Sequence, residues 1–239
     1  TGSGKTTTLY ATLEKINSEK QKIITVEDPV EYQLDGITQI QANASIGLSF
    51  AEGLRSIVRQ DPDVLMVGEI RDHETAEIAI ESALTGHLVF STLHTNDAAG
   101  AVTRLQDMGV EGYLISSSLL AIQAQRLVRR VCTDCAETLP ITEDELAVLE
   151  IENGECPQVV KGKGCERCGQ TGYRGRIGLY ELLVMSDAIR HHIATGADAN
   201  IIREESIREG MRTLREDALE KLKAGLTTPE EVVRVTRAL

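Results

Sequence analysis

The sequence predicts a layered α/β fold, a parallel sheet with helices on both faces, and three observations predict it. Short apolar runs alternate with helical stretches over residues 1–131. Each run closes on an acid or a polar residue rather than on a tight hairpin turn. Aromatic residues are only 3% of the chain and Trp is absent, so small aliphatic side chains must fill the core, as they do between the layers of α/β proteins.

Taken in order, residues 6–20 read as a helix with Leu9, Leu13 and Ile16 on one face. Ile23–Glu27 is a buried strand ending in an acid. Residues 50–60 read as a helix, and Val64–Val67 is a second buried strand, closing on Gly68-Glu69. Residues 72–84 read as a helix with Asp72 as its N-cap. Leu88–Ser91 is a third strand, leading to Thr92-Leu93-His94. Helices are expected over 97–108 and 113–128. After Val131 the composition shifts to Cys and Gly, and residues 132–175 read as a metal-held insertion with one short helix over 142–149. A capping box of Thr142 and Glu145 starts that helix. Residues 177–183 return as a strand, and the remainder is helical to the end. The last helix has Thr228 as its cap, Pro229 in first position and Glu231 in third. The organisation expected is a core over 1–131, an insertion over 132–175 and a mainly helical region over 176–239.

The formal net charge is −12. A nucleic-acid motor relies on a basic track that neutralises phosphates, so nucleic acid is not an expected partner. No apolar run reaches the roughly 18 residues that span a bilayer, and no segment reads as a signal peptide. Five cysteines are present, four of them in two C-x-x-C pairs. Without secretory features such pairs point to metal and a reducing compartment.

The chain opens Thr1-Gly2-Ser3-Gly4-Lys5-Thr6-Thr7. Gly4, Lys5 and Thr6 fill the last three positions of the phosphate-loop pattern G-x-x-x-x-G-K-[ST]. The first Gly and the strand before it are expected upstream of Thr1. Small residues at Gly2, Ser3 and Gly4 let backbone N–H groups surround a phosphate. The Lys5 ammonium suits the β- and γ-phosphates of ATP, and the hydroxyl of Thr6 suits Mg²⁺. The helix beginning here, through Thr7, adds an N-terminus that favours anions. Ligands of open parallel sheets bind at the carboxyl ends of the strands, where Glu27, Glu69 and His94 all fall.

Residues 61–72 resemble the Walker B signature of the secretion and type IV pilus ATPase superfamily. Residues 24–31 resemble its aspartate box and residues 85–97 its histidine box. With the partial Walker A these form four ordered motifs, and the similarity runs to the C-terminus through 175–181. The resemblance implies a RecA-like P-loop NTPase core with a tetracysteine zinc insertion. It implies that Lys5 and Thr6 bind phosphate and Mg²⁺, and that Glu69 acts on Mg²⁺ through water. It makes Glu27 the leading group to polarise the attacking water, and it places His94, and less directly His87, on the γ-phosphate side. Gly68 stands where many P-loop ATPases carry an Asp, which leaves one acid there and asks more of Glu27. Asp28 and Glu31 read equally as direct participants and as turn residues, and His87 as a buried hydrogen-bonded histidine. Arg55 and Arg59, four apart on one helix face, read as reaching a nucleotide or a neighbouring subunit, or as a solvated pair.

Cys132-x-x-Cys135 and Cys165-x-x-Cys168 are separated by the 29 residues 136–164. Two such knuckles make a closed tetrahedral Cys₄ site for Zn²⁺, with no open position and hence a structural role. Cys156, next to Pro157, reads as a spare thiol. The function expected is ATP hydrolysis that powers a type II secretion system, assembling a pseudopilus for protein export across the outer membrane. By the resemblance, the motor is a homohexamer at the cytoplasmic face of the inner membrane, in contact with a membrane platform protein and a cytoplasmic-linker protein. Residues 32–37 and 95–100 resemble type II secretion more than pilus extension. The alternatives are a type IV pilus assembly ATPase, a nucleic-acid translocase and a non-catalytic scaffold. The negative charge opposes the translocase, and the presence of both Glu27 and Glu69 opposes the scaffold.

Overall fold

The structure is a computed structural model that describes residues 2–152, 156 and 158–236; Pro157, beside the spare thiol, lies outside them. The chain forms two compact units that interleave in sequence. One comprises Lys5–Ile122 and Leu183–Glu209, the other Thr1–Gly4, Gln123–Leu182 and Gly210–Leu239.

The first unit opens with α1 (Lys5–Ile16), β1 (Ile23–Glu27) and β2 (Thr38–Gln41). There follow α2 (Phe50–Ile57), a 3₁₀ turn over Val58–Gln60, β3 (Val64–Val67), α3 (His73–Leu84) and β4 (Leu88–Ser91). Helices α4 (Ala98–Asp107) and α5 (Gly112–Ser118) complete this stretch. The four strands form one parallel sheet in the order β2-β1-β3-β4. β1 and β3 are buried at every residue, which is why they read as unbroken apolar runs. Ile23, Val64 and Met66 pack against Tyr10 and Leu13 of α1. Val26 points to the opposite face, where a Cβ on Gly53 of α2 would come within 2.8 Å of its Cγ1. Gly53 thus lets α2 lie close on β1. Asp72 caps α3 by accepting from Thr75 N–H, and Asp97 caps α4 through Gly100 N–H.

The second unit takes up the chain in β5 (Ala121–Val131), β6 (Ala136–Pro140), α6 (Glu143–Leu149), β7 (Gln158–Gly162) and β8 (Tyr173–Val184). β5 pairs with β8, and β6 pairs antiparallel with β7 from Ala136↔Gly162 to Pro140↔Gln158. The capping box of Thr142 and Glu145 is present. The helix expected over 113–128 is corrected here: α5 stops at Ser118 and a strand begins at Ala121. The hydroxyls of Ser116, Ser117 and Ser118 bond back to carbonyls of their own helix, a competition that weakens helix interiors. Ala124 and Val128 then pack with Ile177 and Leu179 of the partner strand, so tertiary pairing overrides helix propensity.

Helices α7 (Asp187–Ala194) and α8 (Ala199–Arg208) return to the first unit, where α7 packs on α5 and α8 on α4. A Cβ on Gly112 would come within 2.6 Å of the Ile193 carbonyl oxygen, so α5 and α7 meet backbone to side chain-free backbone. α9 (Leu214–Lys223) and α10 (Pro229–Thr236) belong to the second unit, burying Leu214, Leu222, Val232 and Val235 against Val128, Val159 and Leu179. Residues 176–239 therefore contribute to both units.

Candidate functional site

The phosphate-loop residues Gly2 and Gly4 have φ of 74° and 86°, left-handed values that favour glycine. Ser3 carbonyl accepts from Gln125 Nε2 at 2.9 Å, and a Cβ on Gly4 would come within 2.8 Å of the same nitrogen. Gln125 thus holds the loop closely enough that Gly4 admits no side chain. α1 starts at Lys5, leaving first-turn N–H groups without helical partners. Lys5 is half-buried, while Thr6 and Thr7 are exposed.

Because β1, β3 and β4 are parallel, Glu27, Glu69 and the Thr92–His94 stretch leave the sheet at one edge. Glu69 is ion-paired with Arg71 at 2.5 Å and accepts from His94 Nε2 at 3.1 Å. The Arg71 guanidinium first, and His94 after it, hold the Glu69 carboxyl below the usual range against the opposing effect of burial. Arg71 is in turn charge-stabilised by Glu69 and more weakly by Asp28, so the loop after β1 reaches the end of β3. Gly68 has a steric reason to lack a side chain: its Cβ would press on Phe50 at 3.3 Å and on the β1 backbone at 3.4 Å.

Glu27 is enclosed, 3% exposed. Thr25 Oγ1 donates to its Oε1 at 2.6 Å, Gln39 Nε2 to the same oxygen at 3.1 Å, and the Tyr10 hydroxyl to Oε2. Asp28 and Glu31 are exposed. His87 lies at the start of β4, the opposite edge of the sheet, with Nδ1 bonded to Ser82 O at 2.9 Å; it does not join the constellation. Arg55 pairs with Glu52 and Glu74 on the surface, and Arg59 sits beyond the end of α2, in the 3₁₀ turn. The residues that sequence reasoning passed over are Tyr10, Thr25, Gln39, Arg71 and Gln125. Arg71 stood in the Walker B segment and was open to notice. Thr25 stands two residues before Glu27 in a strand that was read, so their shared face was also open to notice. Tyr10 and Gln125 have partners distant in sequence, and Gln39 lies in a strand too polar to read as one.

The second unit brings Cys132, Cys135, Cys165 and Cys168 together, with ligand sulfurs all within 4.8 Å of one another. Sγ–Sγ separations are 3.9 Å for Cys132–Cys165, 3.9 Å for Cys135–Cys168 and 3.7 Å for Cys165–Cys168. A tetrahedron with Zn–S near 2.3 Å has edges of about 3.8 Å, so the four sulfurs fit Zn²⁺. Backbone N–H groups of Cys165 and Gly172 donate to Cys168 Sγ at 3.2 and 3.3 Å. They outweigh burial and hold that thiol down to about 6, while burial pushes Cys135 up to about 12. Gly162 and Gly172 cross so closely that a Cβ on either would land on the other's carbonyl. Cys156 is buried, outside the cluster, donating to Gln158 O at 3.2 Å.

Residues 1–234 match the family described as Type II/IV secretion system protein. Type II secretion system protein E of Aeromonas hydrophila is 54% identical over 237 residues, 99% of this chain and 47% of its own length. The type IV pilus assembly ATPase PilB of Thermus thermophilus is 52% identical over 238 residues, 99% of this chain and 27% of its own. The chain spans about half the length of the type II relatives it matches. Among solved structures, the Legionella pneumophila ATPase DotB superimposes with a TM-score of 0.72 at 25% identity, covering 100% of this chain and 58% of that one. The pilus retraction motor PilT with bound ADP gives 0.70 at 30% identity, with coverage of 100% and 60%. The α/β core is accordingly of the RecA-like P-loop class.

Proposed function

Since this chain belongs to the Type II/IV secretion system protein family, we propose that it is the motor portion of an ATPase that powers a type II secretion system. The observation that carries this reading is Glu69, a carboxylate kept ionised by Arg71 and His94 at the sheet edge where the acidic loop also arrives. Phosphoryl transfer needs positioned charge more than covalent chemistry. Backbone N–H groups of Gly2, Ser3, Gly4, Lys5, Thr6 and Thr7 surround the phosphates of ATP, and the Lys5 ammonium neutralises their β/γ end. Thr6 and Glu69 hold Mg²⁺, which when bound disperses the charge of the transferred group. His94 fixes the Glu69 carboxylate by donating from Nε2 and serves the γ-phosphate side of the site.

Glu27 at the end of β1 and Glu31 in the loop after it divide their roles. A carboxylate has about four lone-pair positions, and three of those on Glu27 are taken by Thr25, Gln39 and Tyr10. Polarising the attacking water, the role the sequence assigns to Glu27, fits this enclosure less well than it fits exposed Glu31. Glu27 orients the loop, and Glu31 faces the water. Phosphate release by the full-length protein tests both. Glu31→Gln is expected to lower turnover by ~10²–10⁴ with nucleotide binding intact. Glu27→Gln is expected to lower turnover, nucleotide affinity and thermal stability together. Turnover lost alone in Glu27→Gln returns the water to Glu27.

Cys132, Cys135, Cys165 and Cys168 hold Zn²⁺ as thiolates, with no position open for chemistry, so the metal closes the hairpin of the insertion. At the level of the machine, the motor works as a homohexamer on the cytoplasmic face of the inner membrane, against a platform protein and a cytoplasmic-linker protein. The likeness to PilB supports pilus assembly as the second reading. Complementation separates them: the full-length protein should restore export to cells lacking their type II secretion ATPase and leave pilus-ATPase mutants bald.

A further inference from the structure

Tyr10 lies in the helix that starts at Lys5, five residues further on, and it is fully buried. A phenol offers one donor hydrogen and two acceptor lone pairs. The Tyr10 hydroxyl uses all three: it donates to Glu27 Oε2, accepts the Glu31 backbone N–H at 3.2 Å and accepts Gln39 Nε2 at 3.4 Å. The ring is fixed edge-on against Tyr32, with centroids 4.7 Å apart and planes at 75°. Burial first, and the bond to Glu27 second, push the phenol up to about 12, so it remains a donor at neutral pH. A buried tyrosine needs only one partner for its hydroxyl. This one binds Glu27 at the end of β1 by its side chain and Glu31 of the following loop by its backbone. Five helical residues span about 7.5 Å along a rigid axis, so the hydroxyl sits at a set distance from the phosphate-binding end of α1.

We propose that Tyr10 is a positioning residue for ATP hydrolysis: its hydroxyl ties the phosphate-binding helix to Glu27 and Glu31 and sets where the acidic loop stands relative to the nucleotide. The inference rests on the ATPase reading above. Any shift of the loop moves Glu31 relative to Lys5 and Thr6, and displacements of ~1 Å cost on the order of 10² in rate. Both acids remain when the hydroxyl is removed, so binding and chemistry separate.

The test is Tyr10→Phe in the full-length protein, which keeps the ring and deletes the hydroxyl. Expected is a fall of about 10- to 100-fold in kcat with KM for ATP within about threefold, beside a modest drop in thermal midpoint from the Glu27 oxygen left unpaired. A kcat equal to wild type overturns the proposal and leaves the ATPase reading standing, whereas a wild-type protein that releases no phosphate overturns both. Should Tyr10→Phe fail to fold, a fluorinated tyrosine placed at position 10 preserves shape and lowers the pH at which the phenol ionises. The kcat of the fluorinated protein is then expected to fall with rising pH at values where the wild type holds its rate, and superimposed pH profiles overturn the proposal.

Discussion

The sheet edge and the cysteine hairpin are both built to hold something, but they are kept in shape by different means. At the edge, each acid already has protein partners: Glu27 has Tyr10, Thr25 and Gln39, and Glu69 has Arg71 and His94. In the hairpin, four sulfurs face one another with backbone N–H groups on one of them. Burial pushes the Cys135 thiol up, while at Cys168, against burial, backbone N–H groups and the neighbouring sulfurs pull the thiol down. The difference teaches that the sheet edge keeps its geometry through side-chain partners, whereas the hairpin presents four sulfurs at the spacing that a tetrahedral cation would take.

The strongest way to break the comparison is to show that the two sites fail together. Lys5→Ala is expected to abolish ATP hydrolysis while metal analysis still finds about one zinc per chain; retained wild-type turnover would remove the loop assignment. Cys168→Ser should reverse the pattern. Apparent zinc affinities of such sites are on the order of 10–16 kcal/mol in small peptides, so losing one ligand should empty and unfold the hairpin. Nucleotide binding should persist, because neither the phosphate loop nor Gln125 lies within the hairpin, and Cys156→Ser should leave the zinc content unchanged. Zinc lost equally from Cys156→Ser would sink the ligand set.

Two smaller effects sharpen the contrast. Gly172→Ala drives a methyl into the Gly162 carbonyl, and overpacking of this kind costs about 1–3 kcal/mol or more. It should appear as faster proteolysis within 132–175, with the ATPase rate intact. The smallest effect concerns Glu231, enclosed at the start of α10, which accepts the Arg129 N–H at 2.7 Å and ion-pairs with Arg129 and Arg234. Burial raises its carboxyl, but Arg234 and then Arg129 hold it down to about 2 from an ordinary 4.5. The folded value is the lower one, so the stabilisation is fully present above pH 4.5 and is lost as pH falls toward 2. Glu231→Gln should lower neutral-pH stability by about 1–3 kcal/mol and flatten the acid limb of thermal unfolding. An acid limb as steep as wild type would mean that other carboxylates carry it.

The core strands were legible because their signal is local. Ile23–Glu27, Val64–Val67 and Leu88–Ser91 are apolar runs that close on polar residues, and the structure has strands with those limits. The caps at Asp72 and Thr142 were legible for the same reason. β5 was not, because its Ala, Gln, Leu and Arg content favours helix and only pairing with β8 makes it a strand. β2, with sequence Thr-Gln-Ile-Gln, and the exposed β6 carry too little apolar pattern to read. At the site, the cysteine spacing told which four residues would meet. The enclosure of Glu27 was invisible, since it depends on Tyr10 and Gln39, 17 and 12 residues away.

The path of the chain between the units also governs how the protein can be cut. α7 and α8 are separated in sequence from α5 by the whole cysteine hairpin, yet Arg190 of α7 donates to the carbonyls of Ser116 and Leu119, and Ile189, Ile193 and Ile202 are buried. A fragment ending at residue 131 would therefore shed the cover of α4 and α5 and expose their apolar sides to solvent. Fragments meant to isolate the parallel sheet with its helices must be spliced, joining residue 122 to residue 183 through an artificial loop, and they lose Gln125, the partner of Ser3. The hairpin, by contrast, enters and leaves at Cys132 and Gly172, whose N–H and carbonyl bond to each other at 2.9 Å, so it offers a natural point for excision or exchange.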